Sequence, residues 1–306
     1  MATQPSPDQE KTHVFMHKIA ADLSGAVVVA MCALGDRLGL FKDLAAHGPA
    51  SSAELAARAG VNERYAREWL SALASAGYLE YDPTSRRFAL PPEHAPARAQ
   101  EGGPMFVGGI YQQLPAAFGP LDRLAQVFRQ GGGVPQAAYD ENWWQGMERF
   151  TATWFMNLLV QQWIPAVPDI QAKLERGARV ADIGCGRGRA LITLAQAFPN
   201  SHYVGYDSFE PSIAHAKANA MAAGVGDRVS FQRLGIVQGL PEPYDLITTF
   251  DVVHDMVNPR GALQAIRRAL RPDGTYLMLE INCADKLEDN AGPQGACSTA
   301  LACCTA

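Results

Sequence analysis

Val180-Ala181-Asp182-Ile183-Gly184-Cys185-Gly186-Arg187-Gly188 is the stretch on which the fold turns. An apolar run holding one acid, followed by three glycines at alternate positions, reads as a buried strand entering a tight loop. The backbone of such a loop can approach a ligand closely and present amide groups at a helix start. The spacing then separates two ligand classes. A dinucleotide fingerprint wants its third glycine three residues after the second, and that position here is Arg189. Asp182, just before the first glycine, repels a pyrophosphate and suits a ligand with a positive charge. A nicotinamide cofactor is therefore the weaker reading.

Downstream, short β-branched runs alternate with alanine-rich segments. Strands are expected at residues 179–183, 203–207, 229–231, 244–250 and 275–281, with helices at 190–198, 212–223 and 259–270. This alternation predicts an α/β fold with a doubly wound, Rossmann-like parallel sheet covered by helices on both faces.

Upstream the text is different. Residues 1–12 are polar and hold Pro5 and Pro7, which predicts a loose tail, and helical signals run from Val14 to about Leu44. Within them the apolar residues 23–35, flanked by Asp22 and Asp36, fall short of the roughly 20 that a membrane helix needs, so no transmembrane segment is expected. The first residues also lack the basic start and apolar run of a secretion signal. A helix apolar on most of its surface wants cover from all sides, and a second subunit is the expected cover.

Residues 51–60 and 62–77 read as two capped helices around a tight turn, and 78–81, 82–85 and 86–90 as strand, turn and strand. That order is a winged helix-turn-helix, for which DNA is the obvious partner. Its charge argues otherwise: Arg58, Arg64, Arg67, Arg86 and Arg87 are cancelled by Glu54, Glu63, Glu68, Glu80 and Asp82. Proteins that bind DNA draw affinity from counterion release at several basic contacts, and no such surplus exists here.

Three parts are expected: a winged-helix and dimerisation domain at 1–100, a helical linker and cap at 101–177, and a ligand-binding α/β domain at 178–306. In the cap, Gly102-Gly103, Gly108-Gly109 and the run 131–133 predict loops between helices. Trp143, Trp144, Trp154 and Trp163 cluster there with Tyr139, Phe150 and Phe155. They read as helix–helix core, some of them also walling a pocket for a flat or apolar substrate.

The 306-residue length fits roughly two domains, and 48% hydrophobic against 19% charged residues excludes a disordered chain. A net charge of −5 gives no general attraction to nucleic acid or an anionic membrane. Cys32, Cys185 and Cys283 are scattered, and Cys297, Cys303 and Cys304 crowd the end without metal-ligand spacing. They read as reduced thiols in a cytoplasmic protein that holds no metal.

Together these motifs resemble the class I S-adenosylmethionine-dependent methyltransferases, and more narrowly the small-molecule O-methyltransferases with an N-terminal winged helix. The resemblance covers about residues 14–295. It implies S-adenosyl-L-methionine as cofactor, with the Gly184, Gly186 and Gly188 loop against its methionine part and Asp182, Phe250 and Asp251 beside it. It also implies that Asp207, ending the second strand, accepts both ribose hydroxyls; two vicinal hydroxyls match one carboxylate. One departure stands out. Many members carry an acid after the third strand for the adenine amino group, whereas this chain has Arg233-Leu234-Gly235-Ile236, leaving backbone groups of Leu234 or Ile236 to substitute.

Phe250-Asp251-Val252-Val253-His254-Asp255 is similar to the His-Asp pair of family O-methyltransferases. The resemblance makes His254 the base that takes a substrate hydroxyl's proton and Glu280 the acid that orients it. The chemistry is coherent, because a protonated alcohol or phenol is a poor nucleophile and an imidazole titrating near neutrality can relieve it. The implied activity is methyl transfer to a small molecule, most readily at a hydroxyl, by a homodimer. Two alternatives remain: a winged-helix transcription regulator that senses the cofactor, and a catalytically impaired pseudo-methyltransferase.

The last residues, after Gly295, show no apolar alternation or turn signal and hold three cysteines. A class I sheet adds two strands after the fifth, which takes roughly 50 residues, more than follow Glu280. The expectation is a truncated or frameshifted C-terminus that leaves the sheet incomplete, one edge bare and activity weak.

Overall fold

The computed structural model describes residues 8–292 and Gly295. The first seven residues of the expected tail and the expected C-terminal frameshift, with Cys297, Cys303 and Cys304, lie outside the described residues. The chain divides into two compact units, one of residues 1–101 with 105–115, the other of 102–104 with 116–306.

The first unit opens with α1 (Gln9–Arg37), followed across the left-handed Gly39 by α2 (Leu40–His47). The loose tail expected up to residue 12 therefore ends early. Asp8 is the reason: its carboxylate accepts the N–H groups of Glu10 and Lys11 and starts the helix five residues before Val14. At 29 residues α1 is, by length and composition, long and apolar enough to cross a membrane, which the 13-residue reading did not anticipate. Its last turns belong to a protein core, where Cys32 is fully buried and the Trp69 indole N–H donates to the Met31 carbonyl at 2.8 Å.

Next come α3 (Ser52–Ala59), with a Ser51/Glu54 capping box, and α4 (Glu63–Ser75), capped by Asn62. The strands β1 (Glu80–Asp82) and β2 (Arg87–Ala89) pair antiparallel, so the winged helix forms as expected. Leu44, Leu55, Trp69, Leu70, Leu73 and Phe88 close its core. A short α5 (Ala95–Arg98) follows, then α6 (Gly108–Ala117). Gly108 and Gly109, expected in a loop, instead begin α6.

In the second unit α7 (Leu121–Gln130) and α8 (Glu141–Trp154) precede a π-helical segment, Phe155–Trp163, and α9 (Pro168–Arg176). The sheet is then laid down as β3 (Arg179–Ile183), α10 (Arg189–Ala197), β4 (His202–Asp207), α11 (Glu210–Ala222), β5 (Val229–Arg233), β6 (Tyr244–Phe250), α12 (Pro259–Ala269) and β7 (Leu270–Leu279). All pairs are parallel, in the order β5-β4-β3-β6-β7. The chain reverses direction across the sheet between β3 and β6. In open α/β sheets ligands bind beyond the carboxyl ends of the strands at such a switch point.

β7 starts five residues before the expected strand. Leu270 already pairs with Tyr244, and the register is recovered past an irregularity at Leu246↔Thr275. Apolar side chains from both faces make the core: Val180, Leu191, Leu194, Ile213 and Phe231 on one side, Ala181, Ile183, Ile247, Ala265 and Ile266 on the other.

Candidate active site

The loop after β3 is shaped by its glycines. Gly184 has φ +68°, and a Cβ there would lie 2.3 Å from Val252 Cγ2, so only glycine lets the loop pass beneath the β6 terminus. Gly186 (φ +52°) has no atom near the place of a Cβ and stands open on the ligand side. The Gly184 and Cys185 amides donate to the Tyr206 carbonyl, tying the loop to β4.

Asp207 ends β4 and braces this loop. Its Oδ2 accepts the Gly186 N–H at 2.9 Å and its Oδ1 the Phe209 N–H at 2.8 Å. Burial pushes its carboxyl above the usual range, against the pull of those amide bonds. The Ser208 amide adds to that pull.

Asp182 is placed differently from its neighbours. It is only 2% exposed, its Oδ1 accepts the Thr248 hydroxyl at 2.7 Å, and burial raises its pKa to about 7. Its carboxyl is buried beside β6. Phe250 likewise packs inward, against Phe155 (5.2 Å between ring centroids) and Trp163 (6.1 Å, stacked).

The turn after β6 brings the other expected residues together. Asp251 adopts φ +58°, a conformation uncommon outside glycine but tolerated by aspartate, and its N–H donates to the Leu279 carbonyl. His254 follows in a 3-10 turn, its Nδ1 2.6 Å from Glu280 Oε2. Glu280, just past β7, also accepts the Val252 and Val253 amides through Oε1, at 3.2 and 2.6 Å. The turn and the imidazole are thus held by one carboxylate. Asp255 lies 3.5 Å from Nε2 and Asp251 3.9 Å from Nδ1.

Partial burial lowers the His254 pKa, but the bond to Glu280 and the charges of Asp255, Glu280 and Asp251 outweigh it, and the value ends above 6.5. Burial also raises the carboxyls of Asp251 and Asp255. Donor atoms of Asp251, His254 and Glu280 lie within 4.8 Å of one another, a spacing open to a metal ion. Two of the three positions are spent otherwise: Glu280 on two backbone amides, His254 Nδ1 on Glu280.

The tryptophans divide between core and site. Trp143 is buried against Tyr139, and Trp154 packs on Phe150. Trp144 lies 4.8 Å from Phe209, two residues past Asp207, and Trp163 backs Phe250. Phe209 and Val252 were not anticipated. Phe209 was findable, as an aromatic two residues after the acid that ends β4; Val252 was not, because it fills the space above Gly184.

Residues 26–99 match the family of Rv2258c-like winged helix-turn-helix domains, and residues 174–302 a methyltransferase domain family. The ubiquinone biosynthesis O-methyltransferase of Pseudomonas putida is 26% identical over 148 residues, covering 47% of this chain and 60% of that protein. The chain thus spans about three fifths of the curated relatives it matches. CalO1, a methyltransferase in calicheamicin biosynthesis solved with SAH, superposes with a TM-score of 0.66 at 20% identity, over 98% of this chain and 89% of that one. Human N-acetylserotonin methyltransferase in complex with SAM gives 0.64 at 19%, over 99% and 88%. These likenesses establish the fold. The chain thus carries a winged helix-turn-helix domain ahead of a methyltransferase domain with a Rossmann-like sheet.

Proposed function

We propose that the protein transfers a methyl group from S-adenosyl-L-methionine to a hydroxyl of a small molecule. The observation that carries this reading is the His254–Glu280 pair, seated at the carboxyl edge of the sheet, with His254 after β6, next to the strand that leads into the glycine loop, and Asp207 one strand further on. The residues present suit the cofactor: an open backbone at Gly186, a carboxylate at Asp207 ending the next strand, and the buried carboxyl of Asp182 behind the loop. When bound, it would supply a methyl group on a sulfonium sulfur, open to in-line displacement by an acceptor oxygen with the neutral thioether as leaving group.

The chain's own part is positioning and proton transfer. Glu280 holds the Nδ1–H of His254, which leaves Nε2 as the basic nitrogen. His254 takes the acceptor's proton there as its oxygen becomes the nucleophile, a contribution of about 10²–10⁴ in rate. Aromatic rings of the cap, Trp144 with Phe209 and Trp163 with Phe250, favour a flat or apolar acceptor. His254→Ala should lower turnover roughly 10²- to 10⁴-fold while leaving cofactor affinity nearly intact. Normal turnover in that variant would exclude a base-assisted hydroxyl acceptor.

We further read the chain as a homodimer joined through α1, on which Val14, Phe15, Met16, Leu23 and Val27 are each more than half exposed. The winged helix serves this assembly and not DNA. The free thiols Cys32, Cys185 and Cys283 fit a cytoplasmic location.

A further inference from the structure

Arg187 stands in the middle of the glycine loop, between Gly186 and Gly188, yet it is only 8% exposed. A guanidinium so buried needs compensation, and the compensation comes from α8. Nη1 lies 3.3 Å from Glu148 Oε2 and Nη2 2.6 Å from Glu141 Oε1. Glu148, whose side chain is 11% exposed, is the hub: its Oε1 also accepts from Arg189 Nε at 2.6 Å and from Asn219 Nδ2 at 2.9 Å. Asn219 Nδ2 in turn reaches the Arg187 carbonyl at 3.0 Å. One carboxylate therefore joins α8, the glycine loop, the start of α10 and the middle of α11. Two acids stand against two arginines, with His215 Nε2 3.9 Å from Glu141 Oε1 and the buried Arg187 Nε left without a partner.

We propose that Glu148 and Arg187 form a latch that holds the glycine loop in its cofactor-receiving shape, making Glu148 a positioning residue for methyl transfer. This rests on the reading of the loop as the S-adenosylmethionine site. The loop is fixed on two sides: Asp207 grips the Gly186 amide from the sheet, and the latch grips Arg187 by side chain and carbonyl from the helices. With the second grip gone, residues 186–188, two of them left-handed glycines, keep the Asp207 bond, the Gly188 N–H to Cys185 carbonyl turn and the Gly188 carbonyl in α10, but lose every hold on Arg187. An open loop must then be ordered at the moment of binding, which costs affinity. Glu141 is a lesser member, its side chain 59% exposed.

The test is a double-mutant cycle in the full chain, Glu148→Gln, Arg187→Gln and both together, with S-adenosylmethionine titrated calorimetrically. Each single substitution should weaken binding roughly tenfold, within the range usual for coupled sites. The pair together should cost little more than either alone. The cofactor KM should rise while kcat at saturating cofactor holds, a split that a general loss of stability does not produce. Hydrogen exchange of the 186–188 amides without ligand gives an independent readout: protection should drop in Glu148→Gln. If wild-type protein fails to bind the cofactor, the functional reading falls and exchange still judges the latch. Should Glu148→Gln not fold, Arg187→Gln, which breaks the latch and leaves the Glu148–Arg189 pair, should show the same loss of protection and affinity. A folded variant with wild-type exchange and affinity overturns the proposal, as do single effects that multiply.

Discussion

At the residue scale the site is governed by one imidazole among three carboxylates. Glu280 fixes its orientation, and Asp251 and Asp255 add field without competing for Nδ1 at short range. The raised pKa of His254 has a kinetic sign. The base is active when neutral, so activity should fall as pH drops through a value above 6.5, along the acid limb of kcat/KM. Glu280→Gln removes the strongest raising influence, so that limb should move toward lower pH. Turnover should fall as well, because the tautomer is no longer held. A pH–rate profile of both proteins checks this, and an unmoved limb would separate Glu280 from His254. The stability linkage runs the other way: a raised histidine pKa stabilises the fold below about 6.5 and loses that contribution as pH rises through the folded value.

At the element scale α1 and the π-helical segment carry features that a plain helix would not. Residues 155–163 close i→i+5 bonds, as from the Ile164 N–H to the Leu159 carbonyl. The wider turn places Phe155 and Trp163 on the same Phe250 ring. Such segments are rare and concentrate at functional sites. For α1, burying one large apolar side chain is worth about 1.5–3 kcal/mol, or tenfold and more in association. Phe15→Glu with Val27→Glu should therefore turn a dimer into a monomer by light scattering, with the winged-helix core intact by circular dichroism. A wild-type monomer that instead pellets with lipid vesicles would assign the helix to a membrane surface.

For the whole molecule the question is whether the winged helix reads DNA. The chain's net charge is −5, and the recognition helix α4 pairs Glu63 with Arg67 on its own surface. Titrations with S-adenosylmethionine and with duplex DNA at low and moderate salt should show micromolar cofactor binding and no salt-sensitive DNA binding. The reverse result would make the chain a regulator.

Much of this was legible in the sequence because it depends on local rules. Strand β6 falls on the expected residues 244–250, and β3 on 179–183, since short, mostly apolar runs between alanine-rich helical segments mark the strands of a βαβ series. The glycine spacing and the acid ending β4 marked the ligand end of the sheet for the same reason. Other features depend on atoms far apart in the chain. Asp182 looks like a ligand residue beside its glycine, but burial and Thr248 make it an internal one. Gly108 and Gly109 looked like a loop and open a helix. Arg187 and Glu148, 39 residues apart, look like two ordinary surface charges until α8 folds over the glycine loop. Pairings of that kind arise from packing, and only the tertiary structure decided them.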